Sequence, residues 1–132
     1  MKVLLADDSE MMLEALQEML SPFSQVEIVV ACKNGTDALE AIRSLKPDLA
    51  IVDIQMPGLT GLEVLTEIRN EGITTKFIIL TIFSSGYYRQ LAMEAGTDYF
   101  FSKADDFEKI AGVVEEMLSK ENSHKRLKIP NI

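Results

Sequence analysis

Apolar residues gather into five short runs: VLLA from Val3, VEIVVA from Val26, LAIVD from Leu49, FIILTI from Phe77 and YFFS from Tyr99. The first, third and fourth lack a polar alternation, the pattern of strands covered on both faces. Between the runs the period lengthens to that of a helix. Met12, Leu13, Leu16, Met19 and Leu20 form one apolar stripe, Ala38, Ala41, Ile42 and Leu45 a second, and Leu62, Leu65 and Ile68 a third. A final stripe carries Phe107, Ile110, Val114, Met117 and Leu118, and Tyr87 and Tyr88 read as one packing and one exposed residue of a fourth helix. Thr60 with Glu63 has capping-box spacing, Asp105 with Glu108 imitates it, and Gly72 and Gly96 stand where helices should stop. Strictly alternating β and α elements with short connections predict an α/β fold, a doubly wound five-stranded parallel sheet with right-handed crossovers and helices on both faces.

A chain of 132 residues with 47% hydrophobic content fits one compact domain, read as residues 1–121 with a short basic and polar tail over 122–132. The formal net charge of −8 argues against direct nucleic-acid binding, which depends on neutralising phosphates. The C-terminal stretch SKENSHKRLKIPNI concentrates Lys120, Lys125, Arg126 and Lys128 and reads as a solvated helix end or linker, with His124 a solvated residue of it. Cys32 is the single cysteine, so no internal disulfide can form, and it belongs in or near the core. No secretion signal and no apolar run of membrane-spanning length occurs. A soluble, cytoplasmic protein is expected.

Open parallel sheets bind ligands at the carboxyl ends of their strands. The polar residues there are few: Asp7 and Asp8 after the first run, Asp53 after the third, Thr81 ending the fourth and Lys103 after the fifth. Read alone, one of the adjacent acids caps a helix and the other is solvated. Converging with the rest on one edge, they need a partner, because buried charges must be compensated. A hard divalent cation such as Mg²⁺, or Mn²⁺ in its place, suits oxygen ligands, with Asp8 and Asp53 as direct ligands and Asp7 holding metal-bound water. Asp53 has a second role open to it, since a carboxylate can accept a phosphoryl group as a nucleophile. Charge spread over the phosphoryl oxygens then calls for a cation, an ammonium and a hydroxyl, which Mg²⁺, Lys103 and Thr81 would supply.

On the acidic pair in LLADDS, the stretch IVDIQMPGLTGLE, the Thr in LTIFSS and the Lys in GTDYFFSKADD, the chain resembles the receiver domains of bacterial two-component response regulators over nearly its whole length. The resemblance implies the flavodoxin-like strand order 2-1-3-4-5. It implies Mg²⁺ held by Asp7, Asp8, Asp53 and the backbone carbonyl of Gln55. It further implies a phosphoryl group passed to Asp53 from a sensor histidine kinase or phosphotransfer protein, with Thr81 turning inward to bond it. Phe100 would follow as a switch residue, and the face made by the fourth helix, fifth strand and fifth helix would be read by a downstream protein or by a second copy. Such a module modifies only itself and turns over no external substrate. Pro57, Gly58 and Gly61 form the turn after the third strand.

The chain also departs from the family pattern. Ala104 follows Lys103 where Pro is usual, so a trans peptide and a different loop are expected. Ile82 stands after Thr81 where many members have a small residue, and its bulk is expected to narrow access. Gln55 and Phe83 occupy positions that influence phosphate loss in the family, and Phe83 is expected to hinder an attacking water. A haloacid-dehalogenase-type phosphatase would place its nucleophile on the first strand with a second Asp two residues later, unlike the adjacent pair here. A degenerate receiver acting as a phosphorylation-independent scaffold is the alternative, disfavoured by the presence of all five site residues. The reading leans to a stand-alone receiver.

Overall fold

The computed structural model describes the backbone of residues 1–127 and side chains through Asn122. Its strands are β1 (Lys2–Ala6), β2 (Glu27–Cys32), β3 (Leu49–Val52), β4 (Lys76–Thr81) and β5 (Tyr99–Ser102). Its helices are α1 (Glu10–Leu20), α2 (Gly35–Leu45), α3 (Gly61–Asn70), α4 (Gly86–Ala95) and α5 (Lys109–Leu127). All strand pairs are parallel and the order is β2-β1-β3-β4-β5, as the resemblance implies. Residues 122–127, read from sequence as the start of a tail, continue α5. Residues 128–132, and the side chains of His124, Lys125, Arg126 and Lys128, lie outside the described residues.

The unbroken apolar runs occupy the middle of the sheet. β3 is buried along its whole length, and β1 and β4 are exposed only at their first residues, Lys2 and Lys76. Successive side chains of a strand point to opposite faces, so one run feeds two cores. Leu4, Ala6, Ala50, Val52, Phe77 and Ile79 pack with residues of α2, α3 and α4. Val3, Leu5, Leu49, Ile51, Ile78 and Leu80 pack with residues of α1 and α5. The edge strands β2 and β5 carry the mixed burial that their weaker apolar character requires.

Local chemistry sets the helix limits. Thr60 and Glu63 form the expected capping box, with Glu63 N–H donating to Thr60 Oγ1 at 3.1 Å and Thr60 N–H to Glu63 Oε1 at 2.9 Å. Gly96 ends α4 at φ +97°, and Gly72 follows α3 at φ +76°. The Asp105–Glu108 box does not form, because α5 begins at Lys109. Asp106 takes the structural role there, accepting the Ser102 N–H at 2.9 Å and pairing with Lys109 at 2.8 Å. That ion pair and the Ser102 N–H hold the Asp106 carboxyl below its usual range.

Gly61 opens α3 because a side chain cannot fit there. A Cβ at this position would collide with the carbonyl oxygen of Asp53, and the Gly61 N–H donates to Ile54 O at 2.9 Å. Gly61→Ala is therefore expected to lower stability by about 1–3 kcal/mol, the usual range for overpacking against unyielding backbone, read as a reduced urea midpoint with unchanged slope.

Candidate functional site

The parallel register carries the strand ends to one edge and continues as hydrogen bonds into the residues beyond. Asp7 N–H donates to Cys32 O at 2.9 Å, Asp53 N–H to Ala6 O at 3.0 Å and Lys103 N–H to Thr81 O at 3.0 Å. Each of these three residues is thus fastened by its backbone to the neighbouring strand. Neither acid of the Asp7–Asp8 pair caps α1. Ser9 does so, its side chain accepting the Met12 N–H, which leaves both carboxylates free to face the sheet edge.

Asp7 and Asp53 are buried and Asp8 is exposed, and their carboxylate oxygens approach within 4.8 Å of one another. The Lys103 ammonium sits between the two buried acids, 2.8 Å from Asp7 Oδ2 and 2.9 Å from Asp53 Oδ2. Asp7 Oδ1 accepts the Ser9 N–H at 2.9 Å. Asp53 Oδ1 is buried and, among the described residues, has no hydrogen-bond partner. Burial pushes the Asp7 carboxyl above its ordinary value, more than the bonds from Lys103 and Ser9 return. Burial alone would depress the Lys103 ammonium, but its bonds to Asp7 and Asp53 outweigh that and hold it above its usual value, so it stays charged.

One ammonium facing three carboxylates leaves the edge with excess negative charge and one oxygen unsatisfied. Oxygen donors grouped this closely fit a hard divalent cation, and the orphaned Asp53 Oδ1 is the atom such an ion would satisfy.

The remaining predicted residues are placed as follows. Thr81 is fully buried at the end of β4, its Oγ1 accepting the Phe83 N–H at 3.0 Å. Phe100 is 4% exposed with the Arg89 guanidinium 4.8 Å above its ring. The Gln55 side chain is exposed in the loop after β3. Ile82 points outward at 68% exposure. The Lys103–Ala104 peptide is trans, as expected for Ala in this position. The turn beyond it is tied by Ser102 Oγ, which accepts the Ala104 N–H at 3.2 Å and the Asp105 N–H at 3.3 Å. Sequence reasoning missed Ser9 and Arg89. Ser9 was visible as a polar residue preceding a helical stripe, whereas nothing in the chain order announces that Arg89 stacks on Phe100.

Fold and site together define a doubly wound α/β domain with an acidic, ammonium-bridged cluster at its strand ends. The response regulator receiver domain family matches residues 3–115, and the chain belongs to that family. The transcriptional regulatory protein DesR of Bacillus subtilis (strain 168) is 34% identical over 117 residues, covering 89% of this chain and 58% of its own length. A DNA-binding response regulator of the LuxR family from Staphylococcus aureus superposes with a TM-score of 0.81 at 32% identity, covering 87% of this chain and 96% of that one. The response regulator domain of Thermotoga maritima CheB gives 0.78 at 27% identity, covering 91% and 94%. The chain spans less than two thirds of the length of curated relatives it matches, 58% for DesR. No helix among the described residues is long and apolar enough to cross a membrane.

Removing the bridging ammonium leaves two buried carboxylates uncompensated. Lys103→Met is expected to cost about 3 kcal/mol in chelator, measured by urea unfolding. Asp7→Asn should shift the midpoint the other way, since it removes a carboxylate whose ionised form burial disfavours.

Proposed function

We propose that this receiver domain is a phosphorylation-controlled binding switch in which Asp53 accepts a phosphoryl group. The observation that carries the reading is the buried, unpartnered Asp53 Oδ1 beside the Lys103 ammonium. One oxygen of the Asp53 carboxylate forms the new bond to phosphorus as the bond from phosphorus to the donor nitrogen or oxygen breaks, leaving the other available to a cation. Lys103 holds its charge against the oxygens that gain negative charge, and the Thr81 hydroxyl donates to one of them. Asp7, Asp8, Asp53 and the Gln55 backbone carbonyl would hold Mg²⁺ or Mn²⁺, which when bound neutralises the phosphoryl oxygens.

The donor is a sensor histidine kinase or phosphotransfer protein presenting a phosphohistidine, which places the domain in the cytoplasm. The output is a change in protein contacts at the α4-β5-α5 face, toward a downstream target or a second copy, with no direct nucleic-acid contact by this chain. The phosphoryl group shifts the equilibrium only by its differential affinity for the two states. Residues 1–121 would form the working unit. The second reading, a phosphorylation-independent scaffold, would fit a site lacking acceptor, ammonium or hydroxyl, and the presence of Asp53, Lys103 and Thr81 at the strand ends supports the first.

Acetyl phosphate with Mg²⁺ is expected to add one phosphoryl group by intact mass, and Asp53→Asn or excess chelator should abolish the gain. An unmodified mass in a folded wild type would favour the scaffold. Mg²⁺ should also raise the urea midpoint of the wild type in proportion to the logarithm of its concentration above the dissociation constant, and do so far less in Asp53→Asn.

A further inference from the structure

Thr81 Oγ1 accepts the N–H of Phe83, two residues on, at 3.0 Å. Its hydroxyl is not donated to Asp53 Oδ1, which has no partner. A turn of the Thr81 side chain about its Cα–Cβ bond that carries Oγ1 to a phosphoryl oxygen on Asp53 takes the acceptor away from the Phe83 N–H. The backbone at Phe83 must then move to find another, because a partly buried donor left unpaired is unfavourable.

The Phe83 ring does not end in solvent. It lies 5.6 Å from the Tyr88 ring at a 45° tilt, and Tyr88 lies 5.3 Å from Tyr87, edge to face at 74°. Tyr88 packs on the α2–α3–α4 core, whereas Tyr87 is 68% exposed. The helix that carries both is the most weakly seated of the first four. α4 buries only Ala92 fully, against three or more residues in each of α1, α2 and α3. Ser9, Asn34 and Thr60 cap α1, α2 and α3 through their side chains, but Ser85 at the start of α4 makes no such bond.

Phe100 is less free. It is already 4% exposed, covered by the Arg89 guanidinium at 4.8 Å, and belongs to the buried core. Arg89 also reaches the Phe100 carbonyl oxygen with a long 3.5 Å contact.

We propose that Phe83 and Tyr88 are positioning residues that couple the Thr81 hydroxyl to the outer face of α4, ending at Tyr87, with Phe100 as a fixed support and not the moving part. The inference rests on the phosphoryl-accepting reading of Asp53. Close aromatic packing transmits a displacement because interiors have little free volume to absorb it.

The test labels the full chain with meta-fluorotyrosine, which reports on Tyr87, Tyr88 and Tyr99 by fluorine NMR, with each resonance assigned from a Tyr→Phe variant. Intact mass is recorded on the same samples with acetyl phosphate and Mg²⁺. The Tyr87 resonance is expected to shift on phosphorylation in wild type and in Tyr88→Phe, which keeps the ring. In Tyr88→Leu the mass gain should persist while the Tyr87 shift is largely lost, the Tyr99 resonance serving as the control for folding. Thr81→Ala, without phosphoryl donor, should by itself shift the Tyr88 resonance. A phosphorylated wild type with an unmoved Tyr87, an equal Tyr87 shift in Tyr88→Leu, or an unmoved Tyr88 in Thr81→Ala would each overturn the coupling. An unmodified wild-type mass would instead refute the phosphoryl reading, and the inference with it.

Discussion

Two buried carboxylates, Asp7 and Asp53, are held at one sheet edge by a single ammonium, Lys103. Like charges at such separation in a poorly solvated place repel strongly, and the ammonium is the positive group that makes the arrangement tenable. It does so incompletely, since one oxygen of Asp53 stays unsatisfied and Asp8 adds further negative charge. A site left short of positive charge is one that favours a cation, and that bias is the physical basis of the chemistry assigned to it.

Holding those groups in place is the work of the central strands. β1, β3 and β4 can run through the middle because their side chains are apolar on both faces, feeding the two cores that clamp the sheet. The hydrogen-bond ladder then extends one residue past β1, β3 and β5, into Asp7, Asp53 and Lys103. Gly61 completes the support by letting the start of α3 lie against the Asp53 carbonyl. The opposite edge is tied just as firmly, with the Arg69 guanidinium donating to Gly96 O at 3.0 Å, Ile73 O at 2.7 Å and Thr75 O at 2.9 Å. Firm anchorage at both edges contrasts with the light seating of α4, and a two-state element is drawn from the weakly held parts of a fold.

The element order was legible in sequence because each signal is local. Unbroken apolar runs differ from helical stripes within a few residues, and the Thr60–Glu63 box marks a helix start from its own side chains. The same local logic misread the approach to α5. Asp105 and Glu108 have capping spacing, but Ser102 and Asp106 organise that turn through bonds the spacing alone does not reveal.

The sequence by itself determined the alternation of strands and helices, which strands lie at the centre, and that acids, a hydroxyl and a lysine stand at the strand ends. Those follow from periodicity and from chain order, which a linear text contains. Only the tertiary structure decided that Lys103 bridges Asp7 and Asp53, that Asp53 Oδ1 is orphaned, that Thr81 is engaged by Phe83, and that Arg89 covers Phe100. Two of these four join residues that lie far apart in the chain or on different elements, and all depend on rotamers chosen by the surrounding packing. A hydrophobic pattern states which face of an element is buried, but not which atom a polar side chain will meet there.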